Sequence, residues 1–108
     1  MLKVLESLAE ASKRAKQYED ALKYYTEYLE RLYDGEDSNY EQQARIHFKM
    51  SKIHGIENDL ERQLQKLHLA IKMLRSAKLT AAGKDLEHAI QVDFRRARQA
   101  LEMEELNF

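Results

Sequence analysis

The helical character of this chain is clearest in residues 16–30, KQYEDALKYYTEYLE. Apolar side chains recur there at intervals of three and four residues, at Tyr18, Leu22, Tyr25 and Leu29. This spacing puts them on one side of an α-helix, because a helix turns once in about 3.6 residues. The pattern predicts an amphipathic helix over residues 18–33 whose apolar side needs a second helix to cover it.

Little in the rest of the chain interrupts a helix, since it contains no proline and only three glycines. Apolar periodicity predicts five helices, at residues 2–15, 18–33, about 40–55, about 59–78 and about 84–105. The clearest loop is residues 33–41, where glycine, Asp, Ser and Asn favour turns, and Ser38 or Asn39 is expected to cap the next helix. We expect a tight corner at residues 57–61 and a loop at LTAAGKD, residues 79–85.

The apolar pattern of the second helix returns 42 residues later, at Leu60, Leu64, Leu67, Ala70, Ile71 and Leu74. The helices before them share the offset: Leu5, Leu8, Ala9 and Ser12 correspond to His47, Met50, Ser51 and His54. The repeated object is therefore a helix pair. This register predicts a core that includes Leu8, Ala21, Tyr25, Met50, Leu67 and Ile71. The alternative is an antiparallel helix bundle in which two hairpins look alike by chance.

The first pair resembles a tetratricopeptide repeat through Leu5, Leu8, Ala9, Tyr18, Ala21 and Tyr25. The second pair departs from that family pattern at His47 and Gln63. In the first pair, Tyr28 is large where the family prefers a small residue. The offset of 42 residues exceeds the usual period of about 34 and is similar to the longer repeats of kinesin light chains. The resemblance implies an all-α fold of helical hairpins, a fragment of a right-handed α-solenoid.

We expect one domain over residues 1–108, with repeat 1 at residues 1–33 and repeat 2 at residues 38–78. Residues 82–108 form either a capping helix or the first helix of a third repeat. The apolar face of this helix is predicted to carry Leu86, Ala89, Ile90, Phe94, Ala97 and Leu101, with Arg95, Arg96, Arg98, Glu102 and Glu105 elsewhere.

Composition argues against several functions. Eighteen Lys and Arg balance nineteen Asp and Glu, so no concentrated basic field is available for nucleic acid or an anionic membrane, and clusters such as FRRARQ (94–99) are interpreted as solvated helix faces. Cysteine is absent, and no segment has the apolar length of a membrane span or a signal peptide. We expect a soluble, cytoplasmic protein that binds neither nucleic acid nor membranes.

Sequence motifs for catalysis or for a cofactor are also missing. There is no glycine-rich phosphate loop, no H-E-x-x-H and no spacing that favours a catalytic triad, so the chain is predicted not to be an enzyme and to need no cofactor. His47 and His54 lie two turns apart on one helix, about 10 Å, too far to share a metal ion without further ligands. We interpret them as core residues.

In tetratricopeptide proteins the first helix of each pair lines a concave groove that holds a peptide or a helix of a partner, and the resemblance implies the same here. Helical phase puts seven residues on that side: Lys3, Glu6, Glu10, Arg45, Phe48, Lys49 and Lys52. For Phe48 two interpretations stay open: the fifth helix covers it with Ile90 or Phe94, or it is an exposed anchor for a partner.

The alternative function is structural. In that case the chain forms a homodimer in which the second helix, through Tyr24, Tyr28 and Tyr33, or the fifth helix packs on a copy of itself.

Overall fold

The computed structural model describes residues 2–33, 39–76 and 79–106, and these residues are helical apart from the short turns between helices. It contains α1 (Leu2–Arg14), α2 (Tyr18–Tyr33), α3 (Tyr40–Ile56), α4 (Leu60–Arg75) and α5 (Ala81–Leu106). The described residues contain no strand, which confirms the all-α class and the five helices. The repeat and solenoid arrangement stays a prediction. The loop predicted at 33–41 falls largely outside the described residues, together with the Ser38 cap and the side chain of Tyr33.

The chain divides into two compact units, Met1–Asn39 and Tyr40–Phe108. The first consists of α1 packed against α2. Its buried residues include Leu5 and Ala9 on α1 and Ala21 and Tyr25 on α2, as the apolar periodicity predicts. Alanine at two of these positions lets the helix backbones approach closely.

The prediction that Leu8 lies in the core is wrong, because 41% of its surface is exposed. Leu8 stands one turn beyond Val4, which is also exposed, and the two share a side of α1 that is rotated away from Leu5 and Ala9. Helical phase does not distinguish the side of α1 that meets α2 from the apolar side next to it.

The second unit begins with α3 and α4, which pack against each other, and α5 then packs on both. One core cluster unites the three helices through the buried residues Ala44, Leu67, Ala70, Leu74, Ile90 and Ala97. Met50 is buried as well, whereas Ile71 is only half-buried against the cluster. The predicted apolar face of α5 is confirmed, since Ile90 and Ala97 are buried and the five charged residues assigned elsewhere are exposed.

The helix α5 begins earlier than predicted, at Ala81 and not near Lys84, so most of the predicted loop at 79–85 is helical. The reason lies in α3: the Glu41 carboxylate accepts hydrogen bonds from the Thr80 backbone N–H (2.7 Å) and from Thr80 Oγ1 (3.0 Å). Thr80 Oγ1 in turn accepts from the Gly83 backbone N–H (3.1 Å), as a capping residue does. The cap fixes the first turn of α5.

The two hairpins have the same turn. In the first hairpin, four backbone N–H groups donate to backbone carbonyls at N···O distances of 2.8 to 3.0 Å: Ala15 to Ala11, Lys16 to Lys13, Gln17 to Ser12 and Ala21 to Gln17. The second hairpin has the same four bonds at residue numbers 42 higher, at 2.8 to 3.1 Å; the last of them joins Gln63 to Asp59. Lys16 and Asn58, also 42 apart, have positive φ angles of 61° and 59°. Such a left-handed residue closes a helix with its last carbonyls satisfied.

Candidate functional site

The predicted partner-binding residues of the first unit all lie on α1. Lys3 is exposed, and Glu6 and Glu10 are half-buried and take part in further polar interactions.

The four predicted residues of the second unit lie on successive turns of α3. Phe48 is half-buried and packs against the core cluster that contains Ile90. Lys52 Nζ lies 4.7 Å from the centroid of the Phe48 ring and 2.9 Å from Asp93 Oδ2 on α5. A cation held between a ring and a carboxylate shields part of the ring face from water. Whether Phe48 also contacts a partner stays a prediction.

A groove of about 520 Å³ lies between the first turns of α3 and α5. We call it the α3–α5 groove; it is lined by Glu41, Gln42, Arg45, Ala82, Gly83 and Leu86. Ala82 and Leu86 supply apolar surface, and Arg45 supplies a cation at the rim, where its Nε donates to Gln42 Oε1 (2.8 Å). Such a site fits an apolar side chain that is followed by a carboxylate.

Gly83 leaves room for the Glu41 side chain at one end of this groove. A Cβ atom at position 83 would collide with the carboxylate of Glu41, which crosses to the start of α5 at that point. Glycine therefore leaves the space in which the Glu41 carboxylate binds Thr80.

Of the residues that line this groove, only Arg45 was among the partner-binding residues predicted from the sequence. The other five belong to it because α5 returns to the first turn of α3, and no local pattern encodes that contact. Gly83 gave no signal of this contact either, because its sequence context predicts a loop at residues 79–85.

A second groove, of about 330 Å³, lies between α4 and α5 and is lined by Leu64, Gln65, His68, Phe94 and Arg98. We call it the α4–α5 groove. Its floor is apolar, from Leu64 and Phe94, and its rim carries the exposed side chains of Arg98 and His68. No residue of this groove was among the predicted partner-binding residues.

The histidines of α3 are buried, as their interpretation as core residues requires. His47 is 6% exposed, and burial, assisted by the charge of Lys66, lowers its pKa to about 4. Neither ring nitrogen of His47 has a hydrogen-bond partner in the described part of the chain. Burial also lowers the pKa of His54. Both rings are therefore neutral at pH 7.

Within residues 2–33, 39–76 and 79–106, no three His, Asp or Glu side chains come together as a metal site would require. None of the helices described has both the length and the apolar composition of a membrane span.

Comparison of the chain with protein-family models, with curated proteins and with solved structures finds no match.

Proposed function

We propose that this chain is a helical-repeat interaction module that binds a segment of a partner protein. The observation that carries the proposal is the shared hairpin turn: four backbone hydrogen bonds and one left-handed residue recur at an offset of 42 residues, the offset of the apolar pattern. Agreement between side-chain periodicity and backbone geometry supports a repeated helix pair resembling the long tetratricopeptide repeats. Stacked helix pairs present extended surfaces that bind peptides or helices.

The α3–α5 groove is the part of this surface where the partner anchors. Leu86 and Ala82 accept an apolar side chain, and Arg45 pairs with an acidic residue beside it. Lys49 lies one turn beyond Arg45 on α3 and extends the basic rim. On α1, Lys3, Glu6 and Glu10 occupy the positions that correspond, 42 residues earlier, to Arg45, Phe48 and Lys52. They form the equivalent surface of the first unit.

Selection from a random peptide display library tests the proposal without knowledge of the natural partner. Wild-type protein is expected to enrich peptides in which an apolar residue adjoins Asp or Glu. Arg45→Glu should bind a selected peptide at least about tenfold more weakly, because it puts a like charge against the peptide carboxylate.

The matched control is Lys72→Glu, the same change of charge at an exposed position of α4 outside the groove lining. It should bind as wild type does, and both variants should melt within a few degrees of wild type. Enriched peptides without acidic residues, or equal affinity for Arg45→Glu and wild type, would contradict the proposal.

A further inference from the structure

Four charged residues lie along the outward side of α5 and belong neither to the core nor to the α3–α5 groove. Arg95, Arg98, Glu102 and Glu105 follow one another at intervals of three, four and three residues and are exposed. This spacing puts all four on one side of the helix, as the inner positions of a coiled coil are. We call them the α5 charge stripe.

The α5 charge stripe is poorly satisfied within its own helix. Only Arg98 and Glu102 approach each other, at 4.0 Å with both side chains more than 60% exposed. Arg95 and Glu105 have no ion pair with any residue in the described ranges. The acidic end of the stripe lies near the C-terminus of α5, whose last turn has no basic residue, and negative charge there opposes the helix dipole.

The stripe is complementary to itself in one orientation. Arg98 and Glu102 lie two residues on either side of Ala100, and Arg95 and Glu105 lie five residues on either side. In an antiparallel pair of α5 helices with the two-fold axis at Ala100, each Arg of one copy faces a Glu of the other. A parallel pair in register would place Arg against Arg, which is repulsive.

We propose that residues 95–105 of α5 are a self-recognition surface, through which two copies of this chain pair antiparallel about Ala100. Four Arg–Glu contacts set the orientation. The exposed charges make the association weak and dependent on ionic strength. This surface is separate from the α3–α5 groove, so the proposal is independent of the proposed function.

Sedimentation of the full chain over a range of concentrations tests the proposal by charge reversal. Wild type is expected to dimerise at low salt, with an apparent Kd that rises by about tenfold or more when the salt is raised to screen the charges. Arg95→Glu with Arg98→Glu makes the stripe wholly acidic, and Glu102→Arg with Glu105→Arg makes it wholly basic. Each double variant should be monomeric.

Mixing the two double variants should form a heterodimer, since an acidic stripe then faces a basic one. All four changes in one chain should restore the homodimer. These two results would also show that the substitutions have not unfolded the protein. As a control, Lys23→Glu with Lys84→Glu changes the charge by the same amount at exposed positions of α2 and of the first turn of α5, and should dimerise as wild type does.

Three results would overturn the proposal: a wild-type chain that stays monomeric at low salt, a dimer that survives both double variants, or a mixture of the double variants that does not associate.

Discussion

At the scale of single residues, His47 shows how burial sets both a charge state and a dependence on pH. Its pKa is lowered to about 4 from an ordinary value near 6.5, so the folded state favours the neutral ring. The free energy of unfolding is therefore highest above about pH 6.5 and falls as the pH falls towards 4. The reason is that the unfolded chain binds a proton at His47 at a higher pH than the folded chain does.

We expect the free energy of unfolding to fall by up to about 3 kcal/mol between pH 7 and pH 4 through His47. His47→Leu should flatten this dependence, and it should not lower stability at pH 7 by more than about 1 kcal/mol, because two unpaired ring nitrogens leave the core. Urea unfolding at a series of pH values measures the slope. His88→Leu, at an exposed position, controls for the loss of one histidine. An unchanged slope in His47→Leu would rule out this role.

The effect that we expect of Gly83→Ala on stability is the opposite of the one that helix propensity predicts. Alanine normally stabilises a helix interior by about 1 kcal/mol relative to glycine. Here its Cβ would displace the Glu41 carboxylate from Thr80, so we expect Gly83→Ala to lower stability by about 1–2 kcal/mol.

A double-mutant cycle shows whether Gly83→Ala lowers stability by displacing the Glu41 carboxylate or in another way. In a Glu41→Ala background the carboxylate is gone, and Gly83→Ala should become neutral or stabilising in thermal unfolding. The same loss of stability in both backgrounds would show that Glu41 is not the reason for glycine.

At the scale of helices, the sequence was sufficient wherever structure is local. The ends of α2 and the turns after α1 and α3 could be predicted because apolar periodicity and turn-forming residues act over a few positions. The start of α5 could not, because Glu41, 39 residues away from Thr80, supplies part of its cap. The exposed side of α1 at Leu8 could not either, because it depends on where α2 packs.

Two leucines at similar positions of their helices test this distinction. Leu67 is fully buried, so Leu67→Ala should cost about 2–5 kcal/mol through lost contacts and a residual cavity. Leu8 is 41% exposed, and Leu8→Ala should cost less than about 1 kcal/mol. Chemical denaturation of both variants measures the difference. Equal losses would mean that Leu8 is covered in solution.

At the scale of the whole molecule, the surfaces were harder to predict than the helices. The chain's charge balance favours solvated helix faces for FRRARQ, yet two of its three arginines, Arg95 and Arg98, form half of the α5 charge stripe. Overall charge does not show this pattern, because it emerges only when α5 is folded and its two halves are compared around Ala100. The α3–α5 groove likewise needs two helices that are distant in sequence.

If this chain binds a partner segment at the α3–α5 groove, amide chemical shifts should report the binding directly. A peptide selected by the wild-type protein is titrated into the labelled chain while ¹H–¹⁵N spectra are recorded. We predict that the largest shifts fall on residues 41–45 and 82–86, and that they are lost in Arg45→Glu. Shifts confined to α2 or to the outward side of α4, with residues 41–45 unaffected, would contradict the claim.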